Sequence, residues 1–453
     1  MGILRTSSYM IPVKLEKEEG KYMLIHGYTG AIDIVSAELL HSIQANRKSQ
    51  LTQSMIEQLL ERGYLTTKTQ EEEYEYVARI AKALHRKCDI LYSTFTWVVT
   101  YNCNFRYPYC FEGRDKKDGR KQLVFTKEQV DIAYNAIERI QPSNKLRNNV
   151  ITLYGGEPLL AKNREVVEYI VNEGKKRGYT FVAVTNGYEV DYFLDLLRED
   201  SIYKLQITVD GPKTMHNQRR IHYKDHNTFD KIVSNIKLAL DRGIKVVVRM
   251  NSDNRNVDLF NELRSFFVEQ GFYNYPRFEL YNAILKNSDA VTSEEQKNLS
   301  FLSAESFTDK QDIYVNIRGR VSIYNNISEA LKNKKPLSLK SISCAAQSNG
   351  YVLDPLGSIY PCWEVVGNNN CQEGAYSKDK ITWNEKVLRQ WKNLDVSQKI
   401  PCKYCKYALL CGGGCPYHYL LGENISCKLY RRSFNKEVNM AYASYKNNQC
   451  LTF

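Results

Sequence analysis

The sequence of 453 residues lacks the features of a membrane-embedded or secreted protein. It contains no run of about 18 apolar residues, which a helix needs to cross a bilayer. It also does not open with a positively charged, apolar, cleavable leader. Disulfide scaffolds are typical of short chains in an oxidising compartment. We therefore expect its 12 cysteines to be reduced thiols in a cytoplasmic protein.

Charge is not concentrated in any block. The 63 basic and 51 acidic residues give a net charge of +12 that is spread along the chain. This distribution predicts a solvated surface with some attraction for acidic partners, and it disfavours nucleic acid as a partner. The hydrophobic content of 43% allows substantial cores. The length predicts about three domains of ordinary size.

The chain does have a dense set of cysteines in its last quarter. Two, five and three residues separate four of them, and the glycines 412–414 let the backbone turn tightly between the last two. Thiolates bind iron–sulfur clusters or zinc, so this region is a candidate metal centre. The full pattern is Cys344, Gly357, Cys362, Cys402, Cys405, Cys411, Cys415 and Cys427.

The first ninety residues predict a small module of strands and helices. Residues 22–25 and 31–35 are rich in β-forming side chains around a glycine-containing turn, so we expect a strand pair. Apolar residues then recur at helical spacing in three segments, and Gly63 stands where the second helix should stop.

From about residue 95 to 281 the pattern alternates between strand and helix. One helix should begin with a capping box formed by Thr126 and Gln129, and another should run from Thr228 to Gly243. Such repetition predicts parallel strands with right-handed crossovers, and six units predict a partial (β/α)6 barrel of α/β class. The six predicted strands are 95–100, 150–154, 181–185, 205–209, 244–250 and 278–281.

Unusual segments follow four of these strands, at the barrel end where functional sites gather. They are 103–112 (CNFRYPYCFE), 154–158 (YGGEP), 185–187 (TNG) and 210–212 (DGP). Together they resemble the radical S-adenosylmethionine superfamily, and the C-terminal cysteines resemble its SPASM extension, which carries auxiliary 4Fe-4S clusters. The resemblance covers about residues 90 to 430.

The resemblance implies a catalytic cluster with one departure. In the family, three cysteines spaced CxxxCxxC hold a 4Fe-4S cluster whose open iron binds S-adenosylmethionine, and cleavage gives a 5'-deoxyadenosyl radical. Cys103 and Cys110 match the outer ligands, but the middle position is Tyr107. Phenolate is a harder ligand than thiolate, so we expect the cluster to be labile or absent and the radical chemistry impaired. Cys88, fifteen residues before Cys103, is a poorly placed alternative donor.

The resemblance also implies contacts to S-adenosylmethionine. Gly155, Gly156 and Glu157 match the segment that contacts the methionine amino group, where small residues let the backbone approach a ligand. A glycine pair alone more often marks a turn, but the order of motifs at successive strand ends favours the cofactor role. Positions that match ribose or carboxylate contacts are Thr185, Asn186, Thr208 and Arg249.

The SPASM resemblance implies a crossing pattern of cluster ligands. One auxiliary cluster would use Cys402, Cys405, Cys411 and Cys427. The hairpin predicted over 351–361 would deliver Cys362 to the other. Zinc is the alternative for the CxxC spacing, but cysteines that follow a barrel with cofactor loops favour iron and sulfur. The second set is Cys344, Cys362 and Cys415, with Cys371 as a candidate fourth ligand; Cys450 lies outside the pattern.

The substrate class follows from analogy, since SPASM proteins commonly modify peptides. The N-terminal module resembles the winged-helix element that captures the leader of a precursor peptide, and strand addition would need an exposed edge within 22–35. The alternative is that this module only buttresses the barrel. Sulfatase-maturating members have an acidic residue directly after the cysteine matching Cys362, whereas this chain has Trp363 and then Glu364.

We therefore expect a maturase of ribosomally made peptides that forms a thioether or another radical-derived crosslink, or epimerises a residue. A flavodoxin- or ferredoxin-type protein would donate electrons. The alternatives are a sulfatase or other protein maturase, and a non-catalytic iron–sulfur protein that binds peptides. The predicted domains are the module 1–90, the barrel 91–330 and the SPASM domain 331–453.

Overall fold

The structure is a computed structural model that describes residues 3–45, 50–90, 93–107, 109–110, 123–286, 300–310, 323–423 and 425–450. The chain divides into two compact units. The first combines Met1–Ile90, Arg318–Ser348 and Lys392–Phe453, and the second combines Leu91–Ile317 and Asn349–Trp391. The N-terminal module thus shares a unit with most of the cysteine-rich segment. The three predicted domain boundaries stay a prediction.

A three-stranded antiparallel sheet forms the N-terminal part of the first unit. A short strand β1 (Arg5–Thr6) precedes β2 (Met10–Lys14), β3 (Lys21–His26) and β4 (Ile32–Ser36), and β3 lies in the middle of the sheet. The predicted strand pair over 22–25 and 31–35 is confirmed by the pairing of β3 with β4.

Three helices complete this part of the unit: α1 (Ala37–Gln44), α2 (Gln53–Arg62) and α3 (Gln70–Ile90), with β5 (Leu65–Thr66) pairing to β1. Helix α2 ends at Gly63, as predicted, because that residue adopts a left-handed φ of 90°. Leu40 of α1 and Leu59 of α2 are buried with Leu24 of β3. Apolar burial therefore holds both helices on the sheet.

The second unit is built on a sheet whose main part is parallel. In spatial order its parallel strands are β13, β12, β10, β9, β8 and β6, with bounds β6 (Ser93–Thr100), β8 (Arg147–Gly155), β9 (Thr180–Thr185), β10 (Ile202–Thr208), β12 (Lys245–Ser252) and β13 (Phe278–Ile284). All six predicted strands are confirmed. The short strands β7 (Phe105–Arg106) and β11 (Ile221–His222) pair with each other beyond the ends of β6 and β10.

Helices connect these strands and bury their apolar faces on the sheet. The predicted capping box of Thr126 and Gln129 is present, and the helix after Thr228 runs to Asp241. Trp97, Leu153, Phe181 and Val248 are fully buried in the resulting core. The helices are α4 (Lys127–Ile140), α5 (Arg164–Lys176), α6 (Lys213–Arg219), α7 (Phe229–Asp241), α8 (Phe260–Glu269) and α9 (Ala304–Asp309), followed in the first unit by α10 (Ile323–Asn333).

The sheet of the second unit continues beyond its first parallel strand. Strand β14 (Gly350–Leu353) runs parallel to β6, and β15 (Ser358–Tyr360), β16 (Gly374–Tyr376) and β17 (Ile381–Trp383) follow as an antiparallel meander. Strands β14 and β15 are the hairpin predicted to precede Cys362, and Gly357 turns it with a φ of 79°. Helix α11 (Glu385–Lys392) follows.

The chain ends in the first unit with four helices: α12 (Ile400–Lys403), α13 (Ala408–Cys411), α14 (Pro416–Leu420) and α15 (Ile425–Cys450). Phe434 and Val438 of α15 are buried against Ile11 and Val13 of β2 and Ile327 of α10. The N-terminal sheet therefore shares a core with the C-terminal helix. Within the described ranges, no helix is long and apolar enough to cross a membrane.

Candidate functional site

The loop after β6 carries the residues that match the catalytic cluster. Cys103 and Cys110 are half-buried and free of disulfides. The Phe105 amide donates to Cys103 Sγ at 3.4 Å, and the Cys110 amide donates to the Tyr107 carbonyl at 3.2 Å. A local turn therefore holds Tyr107 beside Cys110.

Tyr107 is held as a neutral phenol. Burial raises its pKa well above the usual value, the charges of Cys110 and Cys103 reinforce the shift, and Arg220 opposes it. The guanidinium carbon of Arg220 lies 4.5 Å from the Tyr107 ring centroid, a cation–π contact. Two thiols and a neutral phenol do not match the three thiolates of the family's cluster. The Cys88 alternative belongs to α3 of the first unit, and it stays a prediction.

The glycine pair after β8 brings two loops together. A Cβ on Gly155 would lie 2.3 Å from the Thr100 carbonyl oxygen, and a Cβ on Gly156 would lie 2.3 Å from that of Asn102. The Gly156 amide donates to Thr100 at 2.9 Å, and the Glu157 amide donates to Asn102 at 2.7 Å. The two glycines therefore let their loop lie close to the backbone that leads into Cys103. Direct contact of these glycines with a cofactor stays a prediction.

Glu157 joins the loops after β8 and β9. Its buried carboxylate accepts hydrogen bonds from Thr185 Oγ1 at 2.6 Å, the Asn186 amide at 2.6 Å and the Leu159 amide at 2.9 Å. Asn186 Nδ2 donates onward to Asn104 Oδ1 at 2.7 Å, in the loop after β6. Burial raises the pKa of Glu157 to about 7 in spite of these donors. Three predicted cofactor contacts therefore form one network beside the cysteine loop.

Thr208 and Arg249 lie in register on the neighbouring strands β10 and β12. Among the described residues, the buried atoms Asn104 Nδ2, Arg249 Nε and Asn251 Oδ1 have no hydrogen-bond partner. Buried polar groups are normally satisfied, so this end of the sheet suits a polar ligand that brings donors and acceptors. The residues present therefore fit S-adenosylmethionine.

A buried ionic network adjoins this site, and sequence reasoning missed most of it. Arg219 forms an ion pair with Asp253 at 2.8 Å, and Arg220 Nη1 lies 3.9 Å from Asp210. The Tyr109 hydroxyl accepts from Arg220 at 3.0 Å and donates to Asp210. Buried charges persist when they are paired. Two adjacent arginines shortly after the end of a predicted strand were the available signal.

Trp363 follows Cys362 directly and stacks on Tyr154, the residue before the glycine pair. Their ring centroids are 5.2 Å apart with an interplanar angle of 16°. Trp363 remains 41% exposed. An aromatic surface therefore stands at the end of β8, where sulfatase-maturating members are expected to carry a carboxylate.

Four C-terminal thiols belong to the first unit and influence one another electrostatically. Burial raises the pKa of Cys402 to about 12, and the charges of Cys411, Cys405 and Cys427 contribute to the shift. These four are the set predicted for one auxiliary cluster, and this ligand set stays a prediction. Across the described ranges, no group of three or more His, Cys, Asp or Glu side chains is placed to hold a metal ion.

The second predicted cysteine set is divided between the units. Cys344 and Cys415 belong to the first unit, where the Ser343 hydroxyl donates to the Gly414 carbonyl, so the residues preceding both cysteines meet. Cys362 and Cys371 belong to the second unit. This ligand set stays a prediction, and the side chain of Cys450 lies outside the described residues.

Most of the parallel sheet lies in a segment that matches a protein-family model. Residues 97–256 match the Radical SAM superfamily. The chain contains a radical SAM domain. Its match begins in β6 and extends past β12, so it includes the cysteine loop, the glycine pair, Glu157 and the ionic network.

Relatives of the radical SAM domain extend the similarity to most of the chain. The cysteine-type anaerobic sulfatase-maturating enzyme of Clostridium novyi (strain NT) is 24% identical over 368 residues, which cover 75% of this chain and 93% of that protein. The enzyme of the same name from Clostridium perfringens (strain 13 / Type A) is 24% identical over 380 residues, which cover 76% and 91%.

Solved structures share the fold around the radical SAM domain. Native anSMEcpe with bound AdoMet and Cp18Cys peptide has a TM-score of 0.53 and 18% identity, covering 78% of this chain and 99% of that one. Streptococcus suis SuiB has a TM-score of 0.51 and 14% identity, covering 93% and 97%. At these identities the likeness shows the fold, and it confirms the predicted α/β class with a TIM-type parallel sheet and a cysteine-rich C-terminal region.

Proposed function

We propose that this protein is a radical SAM maturase of ribosomally made precursor peptides. It would install a thioether or another radical-derived crosslink, or epimerise a residue, with reduced activity because of Tyr107. The observation that carries the proposal is the fold shared with anSMEcpe over 99% of that chain, since that structure holds both AdoMet and a peptide. No disulfide joins the described cysteines, which supports a reducing, cytoplasmic setting and an electron donor of flavodoxin or ferredoxin type.

S-adenosylmethionine would be held at the carboxyl ends of the parallel strands, and it supplies hydrogen-atom abstraction when bound. Glu157, held by Thr185 and Asn186, would receive the methionine amino group. Arg249 and Thr208 would bind carboxylate or ribose oxygens, since Arg249 Nε is buried without a partner among the described residues. The buried surroundings of these groups exclude water from the reacting atoms.

Tyr107 limits this chemistry because it replaces a thiolate. Its neutral, half-buried phenol offers the catalytic cluster a weak third ligand, and Arg220 disfavours withdrawal of the ring from its position. Two auxiliary 4Fe-4S clusters on the C-terminal cysteines would be unaffected. The wild-type chain should therefore contain iron and sulfide and yet cleave S-adenosylmethionine poorly.

The test compares wild-type protein with Tyr107→Cys and Tyr107→Phe after anaerobic reconstitution with iron and sulfide. We expect Tyr107→Cys to gain iron and to release much more 5'-deoxyadenosine with dithionite, because the third thiolate is restored. Tyr107→Phe keeps the ring without adding a thiol, so it should match the wild type. Equal release by wild type and Tyr107→Cys would contradict the proposed impairment.

The N-terminal module would capture the leader of the precursor. Strand β3 lies in the middle of its sheet, so the strand within residues 22–35 that offers an edge is β4. Strand β2, at the other edge, is less available for pairing with a peptide, because Asn439 Nδ2 donates to the Lys14 carbonyl at 3.0 Å. On β4, Ile34 is 42% exposed and would pack on an added strand.

Leader capture can be tested with a fluorescent leader peptide from a short reading frame beside the gene. Ile34→Asp should weaken binding to the full chain, whereas Leu60→Asp, an equally exposed apolar position on α2, should not. Unchanged binding in Ile34→Asp would indicate that the module only supports the remainder of its unit. Mass spectrometry of the precursor co-expressed with Tyr107→Cys would then identify the bond formed.

Sulfatase maturation is a second candidate because curated relatives with that name align over three quarters of the chain. Trp363 opposes it, since an indole cannot accept the proton that a carboxylate would take. Incubating Tyr107→Cys with a cysteine-containing sulfatase peptide distinguishes the two substrates. Auxiliary clusters without any S-adenosylmethionine cleavage, even in Tyr107→Cys, would instead favour a non-catalytic peptide-binding protein.

A further inference from the structure

Tyr154 faces the concave side of the parallel sheet at the carboxyl end of β8. Ile151 and Leu153 of the same strand are fully buried in the core between the sheet and its helices. Successive side chains of a strand point to opposite faces, so the Tyr154 ring points to the other face. Tyr154 also directly precedes the glycine pair. Its ring therefore lies at the end of the sheet that holds the candidate S-adenosylmethionine site.

Trp363 covers one face of the Tyr154 ring, and both residues belong to the second unit. The two rings are nearly parallel, with centroids 5.2 Å apart and an interplanar angle of 16°. A short helical turn, Trp363–Val365, carries the indole, and the Val366 amide donates to the Trp363 carbonyl at 3.2 Å. Val365 is buried and anchors this turn. The turn and the phenol thus hold the indole in one orientation.

The indole of Trp363 keeps 41% of its surface exposed. Single exposed apolar side chains are common on proteins and need no partner. Trp363 differs from these because a second ring backs it and because it lies at the carboxyl end of parallel strands, where ligands bind. Tryptophan is also enriched where the free energy of binding is concentrated. The exposed indole face is therefore a candidate contact for a substrate.

The chemistry of this face favours one class of peptide side chain. A third planar ring extends a parallel pair of rings, and aromatic pairs gain free energy beyond the area that they bury. Lysine and arginine also favour indole faces, but the net charge of +12 disfavours a cationic peptide. Acidic side chains are repelled by the electron-rich face of the ring. Aromatic side chains are thus the class that fits.

We propose that Trp363 determines substrate specificity by stacking on an aromatic side chain that lies close to the modified residue of the precursor peptide. The proposal rests on the proposed peptide-maturase function and adds the chemical class of the side chain that is recognised. Trp363 acts here by binding alone, with no bond formed or broken on the indole.

The experiment observes Trp363 directly in the full chain labelled with 5-fluorotryptophan. The chain has four tryptophans, so fluorine nuclear magnetic resonance gives four signals, and Trp363→Leu assigns the one of interest. The probes are glycine-rich heptapeptides with a central cysteine and either phenylalanine or cyclohexylalanine at one of the other positions. Phenylalanine peptides should shift the Trp363 signal and bind about two- to tenfold more tightly than their cyclohexylalanine counterparts. Trp383, 38% exposed, is the matched control in the same spectrum and should not shift.

Variants test whether the preference belongs to Trp363. Trp363→Leu keeps an apolar cover on Tyr154 without a planar ring, so calorimetry should show equal binding of the two peptide types. Trp383→Leu should keep the preference for phenylalanine. A preference that persists in Trp363→Leu would overturn the proposal, as would equal shifts of the two tryptophan signals. If Trp363→Leu does not fold, Trp363→Phe assigns the signal and the unsubstituted chain carries the test.

The precursor itself supplies the last readout. Mass spectrometry of the precursor co-expressed with Tyr107→Cys should place phenylalanine, tyrosine or tryptophan within two positions of the modified residue. A modified residue without such a neighbour would overturn the role of Trp363 and leave the maturase function intact. An unmodified precursor, together with no binding of any heptapeptide, would instead overturn the maturase function.

Discussion

The Arg220 guanidinium lies over the ring of Tyr107, with its carbon 4.5 Å from the ring centroid, at the position where the family has its middle cluster ligand. The same arginine is hydrogen-bonded to Tyr109 and paired with Asp210. The departure from the cysteine motif is therefore accommodated by the surrounding fold. The tyrosine packs in a site with a buried cation, while the two outer cysteines stay in place.

Arg220→Met should destabilise the second unit by about 3 kcal/mol, because it leaves Asp210 buried without one of its cations. Arg242→Met is the control, since Arg242 is exposed and bonds a single carbonyl, Leu194 O. Urea unfolding followed by circular dichroism measures both. A loss no larger than that of the control would show that Arg219 alone compensates Asp210.

Glu157 should make stability depend on pH. Its folded pKa of about 7 lies above the unfolded value near 4.5, so its contribution is fully present below pH 4.5 and is lost as pH rises through 7. Relative to Glu157→Gln, the wild type should lose about 3 kcal/mol between pH 5 and pH 8.5. Unfolding curves of the wild type and Glu157→Gln at the two pH values test this. The control is Glu262→Gln, a variant at an exposed position that should show no such difference from the wild type.

His26 should produce the opposite dependence in the first unit. Burial lowers its folded pKa to about 4 from 6.5, so its contribution is present above pH 6.5 and is lost as pH falls toward 4. Compared with His26→Gln, the wild type should lose about 2–3 kcal/mol between pH 7.5 and pH 4.5. The exposed His41→Gln should follow the wild type in denaturant titrations, and a coincident curve for His26→Gln would refute the assignment.

Gly156→Ala should be more costly than an ordinary glycine replacement. The new Cβ would lie 2.3 Å from the Asn102 carbonyl oxygen, so the loop before Cys103 must move, at a cost of about 2–3 kcal/mol. Gly178→Ala meets no neighbouring atom and should cost about 1 kcal/mol for its left-handed φ of 80°. Thermal unfolding should rank the two variants in this order. Equal losses of stability in the two variants would indicate that the loop before Cys103 moves without a cost in free energy.

Much of the fold could be predicted because its signals are local. Six strands, the capping box at Thr126 and the glycine stop at Gly63 each depend on a few neighbouring residues. The role of Arg220 could not be predicted. It is an ordinary basic residue in the sequence, and only burial beside distant partners gives its charge an effect.

The sequence by itself determined the order of strands and helices, the cysteine spacing and the substitution of Tyr107, because periodicity and spacing are properties of the chain. Only the tertiary structure decided that the N-terminal sheet shares a core with the C-terminal helix and that Glu157 links three loops. It likewise decided that the Arg220 guanidinium lies over the Tyr107 ring. The physical reason is that electrostatic and packing energies depend on distance and burial, which residues far apart in the chain acquire only on folding.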